Sequence, residues 1–157
     1  MRLPRRRAPY VGVPPADGTV AWDAWAAGWG GAVGIAFANA ALHRAYGEVL
    51  PELTADQVAG VVLLALILPW AVHVEGRNPL DEAHDAALVG LAWAGATVTF
   101  EFTFGHYVNA ASWSDLLAAY DVTKGRLWLL DVVGIAAAPA IARWWNRRTQ
   151  GPALAGS

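Results

Sequence analysis

A chain of 157 residues with 56% hydrophobic and only 15% charged residues, at a mean hydropathy of +0.34, is too apolar to be wetted on all sides, since soluble domains carry about a quarter charged residues. The length allows one compact bundle and no second domain of ordinary size, and a net charge of -2 argues against a nucleic-acid partner. The absence of cysteine excludes disulfides, thiol chemistry and thiolate metal sites, leaving His43, His73, His84 and His106 as the histidine ligands available.

The chain opens Met-Arg-Leu-Pro-Arg-Arg-Arg, like the basic start of an export signal. Pro14, Pro15 and the polar run Ala16-Asp17-Gly18-Thr19 follow, with no compact apolar stretch and cleavage site. Residues 1–20 are therefore expected to form a retained, disordered basic cytoplasmic arm, 21–146 the membrane domain, and 147–157 a disordered tail.

Four apolar segments follow, each near the roughly 20 residues that cross the hydrocarbon core. The first, about Ala24 to His43, is rich in Gly and Ala. The second, about Gln57 to Val74, contains Val-Val-Leu-Leu-Ala-Leu-Ile-Leu. The third runs from about Ala86 to Phe104 and the fourth from about Leu127 to Ala142. Thr54 with Gln57 reads as a capping box before the second; Asn78-Pro79, with Asp81 and Glu82 in the first turn, reads as the start of the third. Pro69 and Pro139 fall inside spans and are expected to kink them.

The fold class expected is all-α, a four-transmembrane-helix bundle. Eight basic residues (Arg2, Arg5, Arg6, Arg7, Arg77, Arg143, Arg147 and Arg148) fall on the side of the termini, against three (Arg44, Lys124 and Arg126) on the other. This places both termini in the cytoplasm and the protein in the inner (plasma) membrane. Trp22, Trp25, Trp70, Trp128, Trp144 and Trp145 fall near the span ends, as an aromatic belt would. His73, Glu75 and His84 read as solvated boundary residues.

Between the third and fourth spans, Ser112 with Asp115 resembles a capping box. Trp113, Leu116, Leu117 and Tyr120 share one helical face, and Gly125 reads as a stop. This predicts a short amphipathic helix on the outer leaflet or over the bundle.

Three spans carry small-residue stripes that let membrane helices approach: Ala27, Gly31, Gly34, Ala38 and Ala41; Gly90, Ala94, Thr97, Glu101 and Gly105; Asp131, Gly134, Ala138 and Ala142. The bulky second span is expected at the periphery. Glu101 and Asp131 lie on small-residue faces within about 10 Å of the outer boundary, at about 1.5 Å per residue. Arg126, His106, His43, Arg44 and Asn39 can join them in one polar cluster.

A charge at such depth needs a partner, a proton or a purpose. One reading is structural, an ion pair of Glu101 with Arg126 or Arg44 that fixes register. A second is transport or proton handling, in which two acids share a proton or attract a cation and a histidine exchanges protons with them. A metal site from Glu101, Asp131, His43 and His106 has suitable donors, but Glu101 and His106 diverge by about 140° on an ideal helix. An enzyme with Glu101 or His106 as general base lacks any accompanying nucleophile motif, so no catalytic residue, cofactor or metal is assigned.

Phe100-Glu101-Phe102-x-Phe104-Gly105-His106-Tyr107, followed by Ser112-Trp113, Leu116-Leu117, Tyr120 and Gly125-Arg126-Leu127-Trp128, resembles an uncharacterised group of small multi-pass bacterial membrane proteins. The likeness covers about residues 85 to 143, and more faintly 39 to 46. The group has Asp-Tyr-Asn where this chain has Ala119-Tyr120-Asp121, and an apolar residue in place of Asp131. The resemblance implies a multi-pass membrane fold and favours Glu101 with Arg126 over a two-carboxylate site; it implies no activity. The expectation is an integral membrane protein in the lipid bilayer with a structural or interaction role, able to associate with a second copy or another membrane protein. The alternative is a small transporter or proton-coupled carrier using Glu101.

Overall fold

A computed structural model describes residues 19–149; the expectations for the basic arm up to residue 18 and for the tail from 150 lie outside the described residues. Within them the fold is all-helical: α1 (Trp22–Gly47), α2 (Glu52–Arg77), α3 (Ala83–Tyr107), the short α4 (Trp113–Ala118), a 3-10 turn at Val122–Lys124, and α5 (Trp128–Thr149). α5 runs three residues past the expected start of the tail, its last turn carrying a bond from Thr149 Oγ1 to the Trp145 carbonyl (3.0 Å).

Two of the expected helix starts are corrected. Pro51, with φ -54°, is the N-cap of α2, using its fixed φ where no N–H is needed. Thr54 therefore lies inside the first turn, and Gln57 does not close a capping box: its Nε2 donates to the Gly125 carbonyl at 3.0 Å. In α3 the capping box is formed by Glu82 and Asp85, one turn beyond Asn78-Pro79. The Ser112–Asp115 box heads α4 as read. Gly125, at φ +78°, ends the 3-10 turn in the left-handed region that favours glycine, rather than ending α4. Pro69 and Pro139 both sit inside continuous helices.

α5 packs most extensively against α2 and next against α3, while α2 also packs against α1; α1 and α3 touch sparsely. The bulky second segment is thus central, not peripheral. Close approach on the α5 side depends on glycine. A Cβ on Gly90 would lie 1.9 Å from the Ala136 carbonyl oxygen, and one on Gly134 would lie 2.6 Å from a Leu64 methyl. The stripe on α5 faces inward as expected, with Asp131, Ala138 and Ala142 buried. The stripe on α3 is buried at Gly90 and Gly105 and half-buried between them.

On α1 the expected stripe is overturned. Ala27, Gly34, Ala38 and Ala41 are exposed, and the buried line is Trp25, Gly28, Ala32 and Asn39. The reason is that large rings, not small side chains, fill the α1 seams. Trp25 meets Trp93 edge-on at 5.6 Å, and Trp93 Nε1 donates to the Trp25 carbonyl (3.0 Å). Trp70 Nε1 donates to the Gly28 carbonyl (2.8 Å). Trp25, 1% exposed, is a core residue and not a belt residue; Trp22, Trp144 and Trp145 are exposed.

At the end of the bundle away from α4, the chain satisfies its buried acid. Glu75 is buried, against the expectation of a solvated boundary residue; it accepts from Asn146 Nδ2 (2.5 Å) and from the Leu80 N–H (3.4 Å). Arg143 and Arg147 donate to the Leu80 and Asp81 carbonyls at 2.6–3.4 Å, locking the α2–α3 loop onto α5.

Gly90→Ala should therefore force α3 and α5 apart and lower the melting temperature in detergent, at an overpacking cost of about 1–3 kcal/mol. Gly34→Ala, whose Cβ would meet nothing within 4 Å, should leave it unchanged or raise it by up to about 1 kcal/mol through helix propensity. Equal melting temperatures for the two would show that α3 and α5 are not in backbone contact.

Candidate functional site

At the α4 end, the last turns of α1 and α3 and the first turns of α2 and α5 enclose a cavity of about 400 Å³. Its wall includes Asn39 and His43 from α1, Asp56 and Gly60 from α2, Glu101 from α3, and Arg126, Trp128 and Asp131 leading into and along α5. Ala119, just past α4, closes one side. Five of the seven residues expected to form a polar cluster, Asn39, His43, Glu101, Arg126 and Asp131, thus meet in one cavity.

The other two do not. His106 turns toward α4: its Nδ1 donates to the Ala111 carbonyl (2.9 Å) and its ring stacks on Trp113 at 4.1 Å. Arg44 is exposed and has no ion pair among the described residues; its position, one step beyond His43, turns it off the inward face.

Asp56 is the cavity residue that sequence reasoning missed. It sits on the line Asp56, Gly60, Leu63, Ile67, an inward α2 face at spacings of four, three and four, and Gly60, Leu63 and Ile67 are buried. That periodicity was readable, but an acid in a first turn reads equally well as an ordinary partner of the helix dipole. Asp56 takes these contacts: its Oδ1 is 3.2 Å from His43 Nε2, and its Oδ2 is 3.9 Å from Arg126 Nη1. The expected Glu101–Arg126 ion pair is not formed. The reason is geometric: Arg126 precedes α5, on the side where α2 packs.

The carboxylates of Glu101 and Asp131 are left without hydrogen bonds or ion pairs to other described residues. Asp131, 5% exposed, rests where α2 has no side chain; a Cβ on Gly60 would lie 2.6 Å from its Oδ2. Asn39, also 5% exposed, donates through Nδ2 to the Ala59 carbonyl (2.9 Å), while its Oδ1 has no partner. Among the described residues, no three His, Asp or Glu side chains are grouped so as to hold a metal ion.

α4 is held against α3 rather than spread away from it. Leu116 packs where Gly105 leaves room, its methyl 2.6 Å from where a Cβ on Gly105 would lie, and Phe102 meets the rings of Trp113 (6.2 Å) and Tyr120 (5.7 Å). The face expected to be continuous is split: Leu116 and Tyr120 turn inward, while Trp113 and Leu117 are 48% and 61% exposed. Burial pushes the Tyr120 hydroxyl above its ordinary range; the neighbouring Trp128 indole pulls it down, and the Glu101 charge raises it further. Beyond it, bonds from Thr123 and the Lys124 ammonium hold the Asp121 carboxyl below its usual range, which fastens the turn that delivers Arg126.

A second cavity, of about 200 Å³, adjoins the first between α1 and α3. The two share Ala36, Ala40, Leu63, Glu101 and Trp128. Trp29, Phe37, Phe100 and Phe104 line the second, and Phe37 bridges the seam to Phe100 and Phe104 at 6.1 and 5.5 Å.

No family model, curated protein or solved structure matches the chain.

A double-mutant cycle separates the two possible partners of Arg126. Asp56→Asn with Arg126→Gln should show a coupling of about 0.2–1 kcal/mol, the range of partly exposed pairs, whereas Glu101→Gln with Arg126→Gln should be additive. A larger coupling in the Glu101 cycle, read from melting in detergent, would restore the pair expected from sequence.

Proposed function

We propose that this chain is a four-helix integral membrane protein and that the cavity at its α4 end receives a cation, as the binding site of a small carrier. One observation carries the proposal: Glu101 and Asp131 face one cavity while the nearby Arg126 guanidinium is engaged by a third acid, Asp56.

Several features support lipid as the solvent. α2 and α3 are long and apolar enough to cross a membrane, with only 28% and 22% of their apolar windows buried within the protein; a core helix of a soluble protein would be mostly buried. Large apolar side chains are exposed on all four long helices, among them Phe37, Leu42, Val61, Leu66, Leu88, Leu91, Leu130, Val133 and Ile141. The four helices have 22 to 26 residues, or about 33–39 Å at 1.5 Å per residue, enough for a core about 30 Å thick. In this reading α4 and the cavity lie at the outer leaflet of the plasma membrane and both termini are cytoplasmic, following the distribution of Arg and Lys.

Acids without cation partners in a poorly hydrated cavity bind a cation or a proton more readily than they stay bare. A register-fixing role for Glu101 with Arg126 loses its main support, because Arg126 is drawn to Asp56. A second reading, association with another copy, draws on the outward small-residue face of α1, where Gly30 and Gly34 have open space before them. It predicts that Gly34→Leu abolishes crosslinked dimers while leaving the monomer fold intact.

Two measurements test the main proposal. Because the chain lacks cysteine, single substitutions report topology: Thr54→Cys and Ser114→Cys should react with a membrane-impermeant maleimide on intact cells, and His84→Cys and Thr149→Cys only after permeabilisation. In proteoliposomes under an imposed potential, the wild-type protein should carry protons or methylammonium faster than empty vesicles. Glu101→Gln and Asp131→Asn should each slow this at least tenfold without lowering the melting temperature. Wild-type vesicles no faster than empty ones would overturn the carrier.

A further inference from the structure

Resting on that cation-binding reading, we propose that the ligand is a primary ammonium on one short apolar chain or ring, its head held by Asn39, Glu101 and Asp131 and its arm lodged in the adjoining aromatic cavity.

The head is argued from what the cavity presents. The Nδ2 bond to the Ala59 carbonyl fixes the Asn39 amide so that Oδ1 is the atom left open, and that oxygen is buried without a donor. A buried acceptor without a partner is costly. The carboxylates of Asp131 and Glu101 line the same space, also without donors from the protein. The free oxygens on these three side chains are all acceptors; the Trp128 indole N–H, also buried without a partner, lines the same space. An R–NH3+ group brings three N–H donors and one positive charge; a quaternary ammonium brings the charge with no donor. A proton shared between the two acids would balance the charge that a monocation leaves over.

The arm is argued from the second cavity. It meets the first at Glu101 and Trp128; on its aromatic wall the Trp29 Nε1 is already bonded to Thr97 Oγ1 (3.1 Å), which leaves the Trp128 N–H at the junction as the unpartnered donor. About 200 Å³ suits one short chain or a single ring and is too little for the two tails of a phospholipid.

The test is calorimetric titration of the full chain in phosphatidylcholine nanodiscs with hexylammonium, hexyltrimethylammonium, ethylammonium and hexanol. Hexylammonium should bind at least tenfold more tightly than the other three. Asp131→Asn and Asn39→Leu should each weaken it at least tenfold; they alter different groups, so loss of fold in one leaves the other to decide. Val33 also lines the second cavity, so Val33→Phe, which fills the apolar arm, should weaken hexylammonium and leave ethylammonium unchanged. Equal binding of hexyltrimethylammonium, still sensitive to Asp131→Asn, would overturn the primary ammonium while leaving a cation site in place. Hexanol binding as tightly as hexylammonium would overturn both. Adding phosphatidylethanolamine to the disc should not change hexylammonium affinity; tenfold competition would make the occupant a lipid headgroup and overturn the short-chain ligand.

Discussion

Helix α5 can lie against α3 and α2 at once only because glycine stands where the backbones meet. At Gly90 the α5 carbonyl of Ala136 occupies the volume a Cβ would need, and at Gly60 the carboxylate of Asp131 does the same. A side chain at these positions would hold the backbones apart, so these small residues set the spacing of half the bundle. The other half is built differently. α1 meets α3 through Trp25, Trp29 and Phe37, and large rings hold backbones apart. A tight seam facing a loose one leaves room between them, and the cavities occupy that room.

The same asymmetry decides the electrostatics. Bringing the start of α2 against the start of α5 sets Asp56 beside Arg126, while Glu101 approaches from the loose side and Asp131 is wedged at Gly60. Arg126 and Asp56 are each more than a third exposed at the side chain, so their pairing contributes little to stability. Its consequence is subtractive: it uses the arginine that would otherwise neutralise a buried acid. With His43 also drawn to Asp56, the deeper part of the cavity keeps its acidic character.

Much of this was legible in the residues. Low charge, four long apolar runs and a capped segment after the third gave the helices, and the α3 and α5 stripes identified their inward faces because small residues there have no competing use. Five of the seven residues named for the cluster meet in one cavity, since helix depth follows from counting at a fixed rise. What could not be read was rotation about the axis of α1. Nearly every face of that helix is Gly or Ala, so a small-residue pattern fits several registers, and the choice was made by Trp25 and Trp29 packing against α3. His106 was misplaced for a related reason: depth placed it near Glu101, but the Ala111 carbonyl and the Trp113 ring, supplied by a loop, turned it away. Asp56 and Glu75 were overlooked because an acid at a helix end has a sufficient local explanation until a neighbouring helix is seen to cover it.

The two ends of the bundle then bear on each other. At the end away from α4, the buried acid and the loop carbonyls have been answered, Glu75 by Asn146 and the Leu80 N–H, Leu80 and Asp81 by Arg143 and Arg147, although the Trp25 indole N–H there has no partner. The chain therefore has the means to satisfy buried acids with its own donors. At the α4 end donors are also at hand, in Arg126, His43 and the Tyr120 hydroxyl, yet Asn39 Oδ1, Glu101 and Asp131 receive none of them. An unmet acceptor in a dry site costs on the order of 1–3 kcal/mol, a large fraction of what a small domain has to spare. A fold that answers its buried acid at one end and leaves three acceptors converging on one cavity at the other has the arrangement that the proposed cation site requires.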